Sequence, residues 1–279
     1  MENLSHYKRS QRLIYITEYF LSHPSQQIQL RYFIDLFQVS KSTISEDVSL
    51  IRDVFEDKGC GTIRAEVGAS GGLYYQPHLL GQERRRFIRD VQFALTNRQR
   101  ILPGNYISLD DILEDPYLLN QAARLIADYY NVSEIDAVMT VETNGVALAV
   151  MVAHYLRVKC VIARRDSKDT VGPTISINYV SGSHQEVRKM ELPKNSLQAD
   201  MKVLIVDDFL RNGGTIQGLT ALLAEFNCKV AGICLFAENS GQYTMDLPAY
   251  DALFNVQLAY NKTKGHYELQ AEPGEMLSF

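Results

Sequence analysis

Several things are scarce in this chain, and each scarcity narrows the reading. Only four cysteines occur in 279 residues, Cys60, Cys160, Cys228 and Cys234, with no Cys-x-x-Cys pair and no close spacing. That excludes a disulfide framework and predicts reduced, mostly buried thiols in a cytosolic protein. No cluster of metal-ligating residues is visible either. Long apolar runs are missing: the longest, Val146 to Leu156, is far short of the roughly 20 residues that span a bilayer. The first residues lack the apolar core of a secretory signal, so a cytoplasmic location is expected. There is no internal repeat and no low-complexity segment. No charge of one sign dominates: the net charge is −5, which leaves room for a DNA-binding part beside an acidic domain. What remains is an ordinary globular composition, 46% apolar and 22% charged, long enough for one large domain or two ordinary ones.

The first part, residues 1–78, is organised differently from the rest. Leu13, Ile16 and Phe20 recur at helical spacing, with Ile14 and Leu21 widening the stripe, and His23-Pro24 stops the helix. A second short helical piece begins at Ile28. A third runs from Val39 to Phe55, with Ile44, Val48, Ile51 and Phe55 on one face and Ser40 or Ser42 as cap. Lys41, Ser42, Ser45, Ser49 and Arg52 are left facing out. Two β-like runs follow, joined by the glycines of Gly68–Gly72, which supply the positive φ of a tight hairpin. Three helices and a hairpin make the plan of a winged helix-turn-helix, whose third helix enters the DNA major groove. Small hydroxyls at that helix's start permit close approach, and Lys8, Arg9 and Arg12 add phosphate contacts. A dimerisation or interaction module fits the same pattern, because basic and acidic residues balance here. Arg84, Arg85, Arg86 and Arg89 then form a basic helical run that reads as a solvated face, or as a DNA-backbone or dimer contact.

Residues 79–279 alternate strand and helix. Apolar strands end at Val141, Ala163 and Val206, and near Glu238, with helices between, and "TISINYV" from Thr174 is a further strand. Continuous apolar strands in a β-α-β order predict a parallel α/β sheet, with ligands beyond the strands' carboxyl ends. One stretch carries chemistry: "VLIVDDFLRNGGTIQG", Val203 to Gly218. Asp207 and Asp208 stand where the strand is expected to finish. Gly213 and Gly214 let backbone approach a ligand, and Thr215 opens a helix whose free amides attract phosphate. Ionised carboxylates only accept hydrogen bonds, so their partners beside a phosphate cradle are donors such as vicinal ribose hydroxyls. A ribose 5-phosphate fits that description.

This stretch resembles the phosphoribosyl pyrophosphate (PRPP) motif of type I phosphoribosyltransferases. The resemblance implies that Asp207, Asp208, Phe209, Leu210, Arg211, Asn212, Gly213, Gly214 and Thr215 contact PRPP. It also implies a pyrophosphate loop at Glu142, Thr143, Asn144 and Gly145, where Asn144 replaces the basic residue of adenine- and orotate-type enzymes. Arg164, Arg165 and Lys168 fall where relatives carry basic groups and a mobile loop. With the winged-helix segment included, nearly the whole chain resembles the purine operon regulator family of Gram-positive bacteria, through Ser40–Ile51, Arg100–Ile107, Ser176–Ser183 and the PRPP stretch. That resemblance implies a dimer acting on double-stranded DNA at purine-gene control regions. It also implies PRPP bound as effector without catalysis, Mg²⁺ arriving with the pyrophosphate, and Tyr106 near the ligand. Three readings stand at this point: a PRPP-responsive regulator, a catalytic purine phosphoribosyltransferase carrying a helical module, and an interaction protein with a relict fold.

Overall fold

Apolar spacing decides most of the smaller unit. The computed structural model describes residues 3–66, 71–102, 106–130, 134–165, 172–180, 187–239, 247–263 and 265–278. Helix α1, Arg9–Ser22, buries Ile16 and Phe20. Ile14 and Leu21 do not widen its buried stripe: they are 70% and 47% exposed. At 100° per residue they fall beyond the arc that faces the core, and Arg12 takes the buried position instead. Helix α2, Leu30–Phe37, adds Phe33, Leu36 and Phe37. Helix α3, Lys41–Lys58, buries the four predicted positions and also Asp47. Its start is fixed by Ser40, whose hydroxyl accepts from the Thr43 amide at 3.2 Å. Strands β1, Gly61–Ala65, and β2, Leu73–Pro77, pair as the predicted antiparallel hairpin, and Ile28 bridges to Leu73. Residues 67–70 of the expected turn lie outside the described residues. Phe20, Phe33 and Phe37 close the core, with ring centroids 6.0 and 6.5 Å apart.

The chain divides into two compact units, Met1–Arg86 with Tyr155–Arg157, and Phe87–His154 with Val158–Phe279. The division falls inside helix α4, Gly81–Leu95, which buries Phe87, Val91 and Leu95. Arg85, Arg86 and Arg89 are exposed and Arg84 is half-buried.

In the larger unit a short ribbon, β3 (Ile101–Leu102) and β4 (Tyr106–Ile107), precedes helices α5 (Asp110–Leu113) and α6 (Pro116–Tyr129). Asp115 caps α6, accepting from Tyr117 and Leu118 amides, and Pro116 takes the first turn. Then come β5 (Ala137–Val141), α7 (Gly145–Leu156), β6 (Lys159–Ala163), β7 (Thr174–Val180), β8 (Val187–Pro193), β9 (Lys202–Leu210), α8 (Gly214–Glu225), β10 (Lys229–Asn239), β11 (Asp251–Asn261) and β12 (His266–Pro273). The central sheet has the order β12-β11-β10-β9-β5-β6, parallel except for β12. Every residue of β5 is buried, as a strand covered on both faces requires. The run "TISINYV" is a strand but does not join this sheet: β7 pairs antiparallel with β8 in a separate ribbon. Strand β9 also runs past the expected end at Val206, so the two aspartates lie within it. The four cysteines are free thiols, and only Cys234 is fully buried. Among the described residues no helix is long and apolar enough to cross a membrane.

Candidate functional site

The sheet order creates the site. From β5 the chain steps outward to β6, then returns to the other side of β5 and builds β9, β10 and β11. The direction of winding reverses between β5 and β9, and a crevice opens beyond the strands' carboxyl ends at such a point. Hydrogen bonding follows suit. β9 stays paired with β10 as far as Leu210, but with β5 only to the Met139–Ile205 position. β5 meanwhile continues beside β6 to Val141. The edge of β9 that carries the next residues, Asp207 and Asp208, is therefore open on the β5 side.

Asp207 is drawn out of water and Asp208 is half-buried beside it. Asp207 is 5% exposed. Burial first, and the neighbouring Asp208 charge second, hold its pKa well above the ordinary carboxylate range. Burial raises Asp208 as well, against the lowering effect of its hydrogen bonds. The strand–helix corner after β5 supports the pair. A Cβ at Gly145 would stand 2.6 Å from Asp207 Oδ1 and 2.8 Å from Thr140 Oγ1, so only glycine lets α7 begin this close. Glu142 Oε1 accepts from the Arg165 amide at 2.8 Å, tying this loop to the end of β6. The buried Arg165 Nε and Thr140 Oγ1 have no hydrogen-bond partner among the described residues. Buried polar atoms are rarely left so, and a bound ligand would satisfy them.

On the other side of the cleft Gly213 has φ +86°, a left-handed conformation that turns the chain into α8. Gly213 has no side chain with which to cap α8, and the positive end of the helix dipole lies at the cleft, an arrangement that binds anions. The cleft, about 260 Å³, is lined by Tyr106, Ile107, Asn144, Arg165, Tyr179, Arg188 and the run Asp207–Ile216. Most predicted ligand residues thus meet around one space. Arg211 lies over the Tyr106 ring, 3.6 Å from its centroid, a cation–π contact. Asn144 Nδ2 donates to Asp110 at 3.1 Å. Leu210 lines the cleft and is also packed into the core, 2% exposed. Glu142, Thr143 and Gly145 shape the wall and do not line the space. Lys168 lies outside the described residues. Ile107, Tyr179, Arg188 and Ile216 were not anticipated. Tyr179 and Arg188 arrive on the β7–β8 ribbon, whose pairing no local pattern discloses. Among the described residues no three His, Cys, Asp or Glu side chains converge as a metal site would require.

The smaller unit carries the second candidate surface. Lys8, Lys41, Ser42 and Ser45 are exposed, so the first turns of α3 present a cation and two hydroxyls outward. Arg52 is half-buried and donates through Nε to the Ile63 carbonyl at 2.9 Å, bracing α3 against the hairpin. Arg12 is a correction. Its side chain is 8% exposed and its Nε sits 2.7 Å from Asp47, so it is packed inside and does not face a phosphate. Arg9 also pairs with Asp47, at 3.1 Å, but stays 56% exposed.

Comparison with known proteins matches residues 8–77 to the N-terminal domain of the bacterial purine repressor, and residues 108–268 to the phosphoribosyl transferase domain. The purine biosynthesis transcriptional repressor PurR of Bacillus subtilis (strain 168) is 41% identical over 273 residues, which cover 98% of this chain and 95% of that protein. The purine biosynthesis transcriptional activator PurR of Lactococcus lactis subsp. lactis is 40% identical over 249 residues, 89% of this chain and 92% of that protein. A xanthine phosphoribosyltransferase of Bacillus mycoides is 31% identical over 156 residues, 54% of this chain and 79% of the enzyme.

Proposed function

We propose, proceeding from the fact that the chain belongs to the bacterial purine repressor family, that its larger unit binds PRPP as an effector and does not transfer the ribosyl group. The chain is a DNA-binding transcription regulator of purine biosynthesis. What controls it is the proposal. One observation carries it: a buried and a half-buried carboxylate and a helix N-terminus that opens on glycine face the same cleft where the winding of the sheet reverses. Asp207 and Asp208 accept from the two ribose hydroxyls. The amides after Gly213 and the Thr215 hydroxyl hold the 5-phosphate. Arg165 and the Asn144 loop stand where a second anionic group would bind. Mg²⁺ arrives on the pyrophosphate, as suits a cation that keeps its waters and binds through substrate phosphates.

The absence of turnover rests on crowding. Phe209 and the stacked Tyr106–Arg211 pair occupy a cleft in which a transferase must also seat a purine base. The acting form is a homodimer, whose paired recognition helices read two half-sites. The relatives include a named repressor and a named activator, so the sign of the response is not common to the family. PRPP changes DNA occupancy or activity only through different affinity for two states of the protein. A gel-shift titration with PRPP and Mg²⁺, paired with transcription from the same promoter, decides the sign. A response in neither assay refutes the effector role. Nucleotide formed from PRPP and any purine base would establish a catalyst instead.

A further inference from the structure

Asp47 is a carboxylate to which the proposed function assigns no work. It lies on α3, 0% exposed, and two arginines of α1 reach it through their Nε atoms, Arg12 at 2.7 Å and Arg9 at 3.1 Å. The two arginines are unlike. Arg12 is enclosed, with 8% of its side chain exposed, and by itself neutralises the buried charge. Arg9 keeps 56% of its side chain in solvent. A buried ion pair contributes little net stability, because desolvation offsets most of the attraction, and a half-exposed second partner adds less. The geometry suits another purpose. The guanidinium is a rigid planar fork, and holding it by Nε leaves the two Nη groups for a second, bidentate acceptor. The anchoring carboxylate belongs to the helix that carries Lys41, Ser42 and Ser45. The fork is therefore fixed to the body of α3 and not to a loose arm.

We propose that Asp47 is a positioning residue for DNA binding: it touches no DNA itself, but sets Arg9 as a phosphate clamp on the flank of α3. This rests on the DNA-binding role of the smaller unit. Arg9 contributes a contact to the backbone, independent of base sequence, and Asp47 removes the ordering cost of that contact in advance.

The test is a double-mutant cycle on DNA affinity with the full chain. It is read across a salt series, on one duplex from a purine biosynthesis gene control region and one of arbitrary sequence. Arg9→Gln lowers the slope of log affinity against log salt by about 0.9. It weakens both duplexes about tenfold at moderate salt. Asp47→Asn weakens binding in the native background and adds nothing in the Arg9→Gln background. Because Asp47→Asn leaves Arg12 buried beside a neutral amide, the cycle is repeated with Arg12→Gln in every member, and thermal unfolding verifies the fold. A slope unchanged by Arg9→Gln overturns the proposal, as does an Asp47→Asn loss of equal size in both backgrounds. In those cases the native chain still binds DNA. If the native chain binds neither duplex, the DNA-binding reading falls and takes the clamp with it.

Discussion

Two adjacent acids, Asp207 buried and Asp208 half-buried, are a stability cost to the fold. Burial and mutual repulsion raise the Asp207 pKa, and burial raises that of Asp208. A carboxyl with a raised folded-state pKa binds protons more tightly folded than unfolded. Its contribution to stability is complete below about pH 4, the ordinary carboxylate range, and is lost as pH rises through the raised range. Asp207→Asn/Asp208→Asn removes that loss. The double variant should melt at a higher temperature than the native chain at neutral pH, and the gap should close as the pH falls toward 4. Melting curves of the two proteins over that range measure it; parallel pH profiles would contradict the assignment. The same variant should lose the PRPP response while ligand-free DNA binding survives, because the acceptors for the sugar hydroxyls are gone. In the native chain PRPP affinity should rise with pH over the same window, since the ionised pair is the accepting form.

At the scale of elements, the entry to α8 and the start of α3 are set by opposite devices. α8 begins on a glycine with no side chain to cap its amides, α3 on a serine whose hydroxyl caps the Thr43 amide. Gly213→Ala would force a left-handed φ on a side chain and place its Cβ 2.5 Å from Leu247 Cδ2. We expect a loss of about 1–3 kcal/mol in urea denaturation together with a weakened PRPP response. Ser40→Ala should cost about 1 kcal/mol in the same measurement, through loss of the cap, and leave PRPP binding untouched. Equal effects of the two changes on PRPP binding would mean that the cradle is not where α8 begins. Both devices were legible in sequence, because each is local: a hydroxyl before an apolar period, and Gly-Gly-Thr after a continuous apolar strand. The β7–β8 ribbon was not, since "TISINYV" reads the same whether its partner is the central sheet or β8. Tyr179 and Arg188 were lost with it. Arg12 and Asp47 lie 35 residues apart, and charges at helical positions read as solvated until the partner is in view.

For the whole molecule, the proposed joining of a DNA-binding domain to a PRPP cleft has a consequence that does not depend on whether PRPP releases or activates. If PRPP changes the affinity for DNA by some factor, DNA must change the affinity for PRPP by the same factor, because both routes lead to one ternary complex. A coupling of about 1–3 kcal/mol, typical of such systems, is a change of roughly 5- to 150-fold. PRPP binding measured with and without saturating operator duplex should shift by the factor that the gel-shift titration gives in the reverse direction. A repressor released by PRPP shows weaker PRPP binding on DNA; an activator engaged through DNA affinity shows tighter binding. If operator leaves PRPP affinity unchanged while PRPP still alters transcription, the effector works on a protein already seated on DNA, through a contact other than DNA affinity. Asp207→Asn/Asp208→Asn is the control: it should abolish the shift in both directions at once, since a single cleft is the source of the coupling.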